Sequence, residues 1–536
     1  MRIKCVICKN IPFVSKAFDG EIIVNYNTYM TFDIHQTLYD FMKTYHEKRD
    51  TLAVVRGRSK MNFPRFFKEV DRVAGGLYAL GISKGDVVVL ALPNIMQSVV
   101  ATYAISRIGA VASMIHPLLS ADEFAAAVKK QNPKAVFLSD INYRAFSKHC
   151  GNAKRIFCSY VVYGYGGLPR PVRFEPFKGD GEEPIFYMQS GGTSGEPKTI
   201  VLSSRACNAM AGNLLNYLGD KFDESKRMLV VLPMFHGYGL CVGVHASLCS
   251  NMSAVLMPRF DVKKTVRVIA KNKVTTMLAV PRMVSKLLEY DGFSGDNIAS
   301  LEDVYVGGDA VSADLVARFA ERMKECGGKG VLSPGYGLTE TVTVCTLTKI
   351  GDYRQGSVGN PILGVRARIV DENLNEVPTG EAGELLLLGE QMMSGYLDDE
   401  EGTKRAMISL DGENWVRTGD LFKTDEDGRL YFLGRKKRLI KISGINVFPS
   451  EIERIARELD FVGECAVVEY HENGKPFIRL VVEGDLSEAQ KRATVEHIAK
   501  RMSHWNVPSS VVCLAELPRT KMSKIDILKL QEEFGG

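Results

Sequence analysis

Residues 190–198 read Ser-Gly-Gly-Thr-Ser-Gly-Glu-Pro-Lys and follow directly on a strand-like run at 184–188. Three glycines let backbone N–H groups approach an anion closely, and three hydroxyls with the Lys198 ammonium add further donors. Such a set of donors suits a polyphosphate. It is not a Walker phosphate loop, because Pro197 stands where that loop has the glycine before its lysine, which excludes a GTPase-type assignment. Cys5 and Cys8 form a second pair with chemical spacing, that of a metal or redox motif. A zinc site needs two more ligands at similar spacing and none follows nearby, so the pair is read as incidental.

The rhythm of apolar runs indicates what positions the loop. A strand is expected at 87–92, a helix at 96–108, and a second strand at 110–114. A helix at 123–131 and a strand at 135–138 follow, and the alternation resumes with strands at 228–232, 254–257, 275–280 and 303–306. Strands spaced by helices predict an α/β fold with parallel sheets covered on both faces. Ligands of such sheets bind at the carboxyl ends of the strands. From about residue 366 the pattern turns to strand pairs, at 366–370, 384–388 and 429–433, with Asp-Glu-Asp-Gly at 425–428 as a hairpin signal. A smaller unit follows the basic run 435–438: a helix at 450–459, strands near 464–468 and 477–482, and a helix at 487–502. The boundary falls near Lys437, dividing 1–436 from 437–536.

Composition narrows the class. A chain of 536 residues exceeds what one core supports, and 45% hydrophobic with 24% charged residues is ordinary for a soluble protein. The net charge of +5, from 68 basic and 63 acidic side chains, is too small to argue for nucleic acid or a membrane surface as partner. No apolar run reaches the roughly eighteen residues of a membrane span. Asp19 and Glu21 break up what would be a secretory signal, so cytoplasmic residence is expected. The eleven cysteines form no disulfide framework; most, such as Cys241, Cys465 and Cys513, lie in apolar runs.

Five further segments complete a pattern. They read Gly-Gly-Asp-Ala at 307–310, Tyr-Gly-Leu-Thr-Glu-Thr at 336–341, and Trp-Val-Arg-Thr-Gly-Asp at 415–420. The others are the stretch 434–444, beginning Gly-Arg and ending Gly, and Pro-Arg-Thr-Lys-Met-Ser-Lys at 518–524. With 190–198 they resemble, in order, the motifs of the adenylate-forming (AMP-binding) superfamily: acyl- and aryl-CoA synthetases, luciferases and nonribosomal-peptide adenylation domains. That resemblance implies a large N-terminal domain of helix-covered sheets, a small β-barrel-like subdomain and a mobile small α+β C-terminal domain. It places ATP phosphates on Ser190, Gly191, Gly192, Thr193, Ser194, Gly195 and Lys198. Gly308 and Asp309 would line the adenine and acyl pockets, and Tyr336, beside Gly337, would stack on adenine. Thr339 would bond the α-phosphate and Glu340 would hold Mg²⁺, a cation that prefers a hard carboxylate. Asp420 would accept from both ribose hydroxyls, which suits a carboxylate. Arg435 opens the inter-domain hinge segment, pivoting at Lys437. Lys524 would bridge the substrate carboxylate and the α-phosphate, while Lys441 and Gly444 lie on the face that replaces it for thioester formation. Three positions depart from the family pattern: Thr199 for a glycine, Arg438 where most relatives carry Asp, and Ser523 for the glycine before Lys524.

The reaction implied joins two anions, a carboxylate and the α-phosphate of ATP. At 4 Å they repel by about 4 kcal/mol at an effective dielectric near 20, so cations at the reacting centre are the main need. Acyl-AMP forms with release of pyrophosphate, and a thiol then displaces AMP. Residues 233–240, Pro-Met-Phe-His-Gly-Tyr-Gly-Leu, correspond to the segment that opens the acyl pocket. Amino-acid-activating relatives carry Phe-Asp there; Phe235-His236 offers no counter-charge, and an unpaired buried ammonium is costly. A fatty or aromatic acid is therefore expected, with coenzyme A as thiol and His236 beside the substrate. Gly237, Gly239, Gly307 and Gly308 suggest room for it. A carrier protein's phosphopantetheine, which has the same thiol arm, is the alternative acceptor.

Overall fold

Val87–Leu90, Val111–Met114 and Ala135–Ser139 are short, apolar on both sides and separated by helices. Strands of this kind must be covered on both faces, and in the computed structural model they lie side by side in parallel. The structure describes residues 31–44, 50–189, 198–219, 223–349, 351–442, 445–472, 475–520 and 525–535. Helix Met96–Arg107 covers this sheet and is buried from Met96 to Ser106. The more amphipathic Ala121–Gln131 is stopped at both ends by its own sequence. Ser120 and Glu123 form a capping box at its start, and Asn132 takes the left-handed conformation at its end, φ 43°.

Two mixed sheets form the large unit. The first, of seven strands, runs in the order 395–396, 199–203, 184–189, 111–114, 87–90, 135–139, 154–158. The second has nine, in the order 360–361, 344–347, 331–337, 303–306, 276–279, 227–230, 253–256, 52–56, 59–62. Their centres are parallel as expected, but three of the four edge strands pair antiparallel, Lys154–Cys158 being the parallel edge. Pro184–Gln189 and Thr199–Ser203, which flank the glycine-rich segment, pair antiparallel. One buried apolar cluster serves both sheets.

A five-stranded antiparallel sheet follows, with Val365–Val370, Gly383–Gly389, Glu413–Thr424 and Met407–Leu410 in order and Leu430–Arg435 paired to Glu413–Thr424. It stands where a β-barrel-like subdomain was expected. Beyond it, Cys465–Glu472, Lys475–Glu483 and Ser510–Leu514 form a small sheet covered by Pro449–Ala456 and Ile527–Phe534, with apolar clusters of their own.

Charged pairs fasten the chain on either side of Lys437. Lys436 Nζ lies 2.9 Å from Glu384 Oε2 in the five-stranded sheet. Arg438 Nη2 lies 2.6 Å from Glu453 Oε1 in the small unit. Glu453 is 6% exposed and also accepts the Val467 N–H at 2.8 Å. A buried carboxylate needs such a cation, which accounts for arginine at 438. Burial alone would raise the Glu384 carboxyl, but hydrogen bonds from Arg417 and Lys436 hold it below its ordinary value.

Candidate active site

A cleft of about 2770 Å³ opens beyond the carboxyl ends of Asp303–Val306 and Thr276–Ala279 and is bordered by the five-stranded sheet and the small unit. Tyr336 enters it from the end of Val331–Gly337, at a register shift against Val344–Leu347. A Cβ at Gly337 would sit 1.5 Å from the Thr343 carbonyl oxygen, so a glycine is what permits the shift. The Tyr336 ring stands edge-on to Phe422, centroids 4.8 Å apart, and nearly parallel to Phe432 at 6.4 Å. Its hydroxyl donates to Asp420 Oδ2 at 2.7 Å. Asp420 is 1% exposed, and its Oδ1 lies 3.1 Å from Arg435 Nε, the residue opposite it in strand register. Burial, and then the Asp420 charge, push the Tyr336 phenol well above its usual range, so it remains a donor. This is a buried carboxylate oriented by one hydroxyl donor and paired with a guanidinium, beside aromatic faces, which suits a ribose and a purine. Asp420→Ala is expected to raise the KM for ATP at least about tenfold with a smaller effect on kcat, since the lost bonds exist before the transition state. Unchanged ATP kinetics would remove Asp420 from the nucleotide site.

The side of the cleft expected to hold phosphates is built on a tyrosine absent from the sequence expectations. Lys198 Nζ stands 4.3 Å from the centroid of the Tyr396 ring and 3.0 Å from Asp399 Oδ2. The Tyr396 hydroxyl donates to Glu340 Oε1 at 3.0 Å. The hydrogen bond from Lys198, and then the Gly402 N–H, hold the Asp399 carboxyl below the usual carboxylate range. Burial pushes the Tyr396 phenol up, with the Glu340 charge adding to it. Glu340 and Thr339 lie in the short turn Thr339–Thr341, both half-buried and bordering the cleft. A half-buried carboxylate held by a neutral donor, with an ammonium beyond the same ring, fits a Mg²⁺-bound phosphate.

The segment expected to open the acyl pocket corrects one expectation. A Cβ at Gly237 would meet the Val342 carbonyl oxygen at 2.1 Å, at Gly239 that of Pro233 at 2.2 Å, and at Gly307 that of Gly335 at 2.9 Å. These glycines bring walls together and do not widen a pocket. Gly308 is different: its φ is +81° and the nearest atom to an added Cβ is Val280 Cγ1 at 3.6 Å. Val342, a β-branched residue, is held at φ 63°. Phe235 packs on His116, ring centroids 4.4 Å apart, and on His236 at 4.7 Å, and all three border the cleft. From Tyr238 to Ala246 the chain forms a nearly wholly buried π-helix, a geometry frequent at functional sites.

The structure thus brings Lys198, His236, Gly308, Asp309, Tyr336, Gly337, Thr339, Glu340, Asp420 and Arg435 to one cleft. Lys441 is turned elsewhere: its ammonium is 3.7 Å from Glu372 Oε1, with both side chains largely exposed. Ser190, Gly191, Gly192, Thr193, Ser194 and Gly195, with Gly444, Ser523, Lys524, Cys5 and Cys8, lie outside the described residues. Ile525, which follows Lys524, borders the cleft. Asp399 had a local signal, an acidic cap before Glu400–Ala406, but nothing local pointed Tyr396 at Glu340.

Two family models match: "AMP-binding enzyme" over residues 41–397 and "AMP-binding enzyme C-terminal domain" over 451–524. The chain is 28% identical to probable CoA ligase CCL5 of Humulus lupulus, covering 98% of this chain and 96% of that protein. It is 26% identical to the long-chain-fatty-acid–CoA ligase of Bacillus subtilis, covering 90% and 92%. Its fold resembles the crystal structure of the anthranilate CoA ligase AuaEII in complex with anthranoyl-AMP, with a TM-score of 0.84 at 24% identity over 94% and 98% of the two chains. Among the described residues no helix is long and apolar enough to cross a membrane.

Proposed function

The chain belongs to the AMP-binding enzyme family, and from that premise we propose that it activates a fatty or aromatic carboxylic acid and passes the acyl group to coenzyme A. The similar curated chains are CoA ligases, and an acid–thiol ligase that uses ATP and CoA is what they have in common. The aromatic or fatty acid is inferred from one observation: the acyl gate is a cluster of three rings, His116, Phe235 and His236, with no carboxylate at 236 to receive an ammonium. The similar chains point the same way, one named for long-chain fatty acids and one solved with anthranoyl-AMP.

In this reading Asp420 and Arg435 seat the ribose and Tyr336 lies along the base. Lys198 and the glycine-rich loop hold the phosphates that leave as pyrophosphate. A bound Mg²⁺ would neutralise charge on the phosphate oxygens, and Glu340 is the side chain that would hold it. Thr339 donates to the α-phosphate. Lys524 offsets the charge that builds as the carboxylate oxygen attacks phosphorus, and no covalent enzyme intermediate is needed. The small domain, residues 437–536, then turns about Lys437 and presents the face of Lys441 and Gly444 for thiol attack. Nine described cysteines are free thiols, which suits the cytoplasm.

Pyrophosphate release measured over fatty, aryl and amino acids, each with and without CoA, tests the proposal. Turnover with fatty or aryl acids that CoA stimulates is expected. Turnover confined to amino acids would overturn the substrate class. Adenylate made without stimulation by CoA would point to a carrier-protein thiol.

A further inference from the structure

The Tyr396 ring joins two groups of opposite charge from segments far apart in the chain. Its strand, Gly395–Tyr396, pairs antiparallel with Thr199–Ser203, and Tyr396 stands opposite Ile200, two residues beyond Lys198. Leu397 N–H donates to Thr199 O at 2.8 Å and Ser394 N–H to Val201 O at 2.9 Å, so backbone bonds on both sides lock this register. On the other flank, Met393 N–H donates to Glu340 O at 2.8 Å. The Tyr396 N–H itself donates to Thr403 Oγ1 at 2.9 Å, tying it to the helix that Asp399 caps.

We propose that Tyr396 is a positioning residue for adenylation, holding the Lys198 ammonium over its ring face and the Glu340 carboxylate at its hydroxyl before ATP and Mg²⁺ arrive. The inference rests on the roles given to Lys198 and Glu340 above. Neither side chain then has to be ordered during binding, which lowers the entropic cost. The two contacts are chemically separable. Phenylalanine keeps the ring face that attracts a cation but loses the donor to Glu340; leucine loses both.

Titration calorimetry with a non-hydrolysable ATP analogue, in EDTA and at rising Mg²⁺, reads the two contacts separately without turnover. Tyr396→Phe is expected to bind the analogue as the wild type does in EDTA, while its gain in affinity on adding Mg²⁺ falls about tenfold, as for other groups that orient a metal-ligating carboxylate. Tyr396→Leu is expected to be weaker in EDTA as well. Glu340→Gln and Lys198→Ala separate the layers of the argument. If Glu340→Gln keeps the full gain from Mg²⁺, or Lys198→Ala binds normally in EDTA, the underlying reading of those residues fails. If both behave as expected but Tyr396→Phe retains the wild-type gain, or weakens binding equally with and without Mg²⁺, the positioning role is overturned.

Discussion

Lys524→Ala is expected to nearly abolish adenylate formation yet to make thioester at near-normal speed from acyl-AMP and CoA. In the proposed mechanism the deleted cation would offset the negative charge that develops when carboxylate and α-phosphate meet. Contacts of that kind are worth about 3–4 kcal/mol, a hundred- to a thousandfold in rate. Once the adenylate exists the lysine has no further charge to offset. Gly444→Leu should do the reverse, sparing adenylation and blocking the thiol. Among the described residues, Ile525 borders the cleft and Lys441 lies 3.7 Å from Glu372. Either defect alone could come from local damage, so both half-reactions are to be measured in both variants. Proportional loss of the two halves in each variant would sink the alternation of faces.

Gly337→Ala should cost nearly as much through a wholly different route. The added carbon would stand 1.5 Å from the Thr343 oxygen and 2.4 Å from its carbonyl carbon. Both partners are backbone, so no rotamer change relieves the overlap. Val331–Gly337 must draw away from Val344–Leu347 and carry Tyr336 from Asp420, at a cost of about 3 kcal/mol or more. ATP affinity is expected to fall about a hundredfold, with a lower melting temperature. Gly327→Ala is the control: its φ of +63° carries the left-handed penalty, but nothing lies within 4 Å of the new atom. ATP binding in Gly337→Ala equal to that in Gly327→Ala would refute the packing argument.

Most of the fold was legible because its strands are short apolar runs between helical ones. The expected strand at 303–306 is Asp303–Val306, and the expected helix at 96–108 is Met96–Arg107. Strand direction was not legible. Thr199–Ser203 is an apolar run like its neighbours, and nothing in the run itself tells that it pairs antiparallel with Pro184–Gln189. The glycines of the acyl segment misled for a related reason, since a glycine reads alike whether it faces a cavity or a carbonyl oxygen. In the site, residues in contiguous motifs came together, including Tyr336 with Asp420. Tyr396 did not announce itself, because its meaning depends on two partners set by sheet register. Arg438 looked like a departure until its partner, Glu453, was seen to be buried.

The paired clasps around Lys437 have a mechanical consequence. With Lys436 moored to Glu384 and Arg438 to Glu453, the proposed reorientation of the small domain would fall on the two torsion angles of Lys437. At the joint itself the swing gives up one backbone hydrogen bond, Leu439 N–H to Lys436 O at 3.2 Å, a cost of about 1 kcal/mol. Such a bearing constrains direction without resisting travel. Under the proposed swing, two torsions of one residue would confine the small domain more narrowly than a free linker, and each productive stop would be set by the contacts at its end, not by the axle.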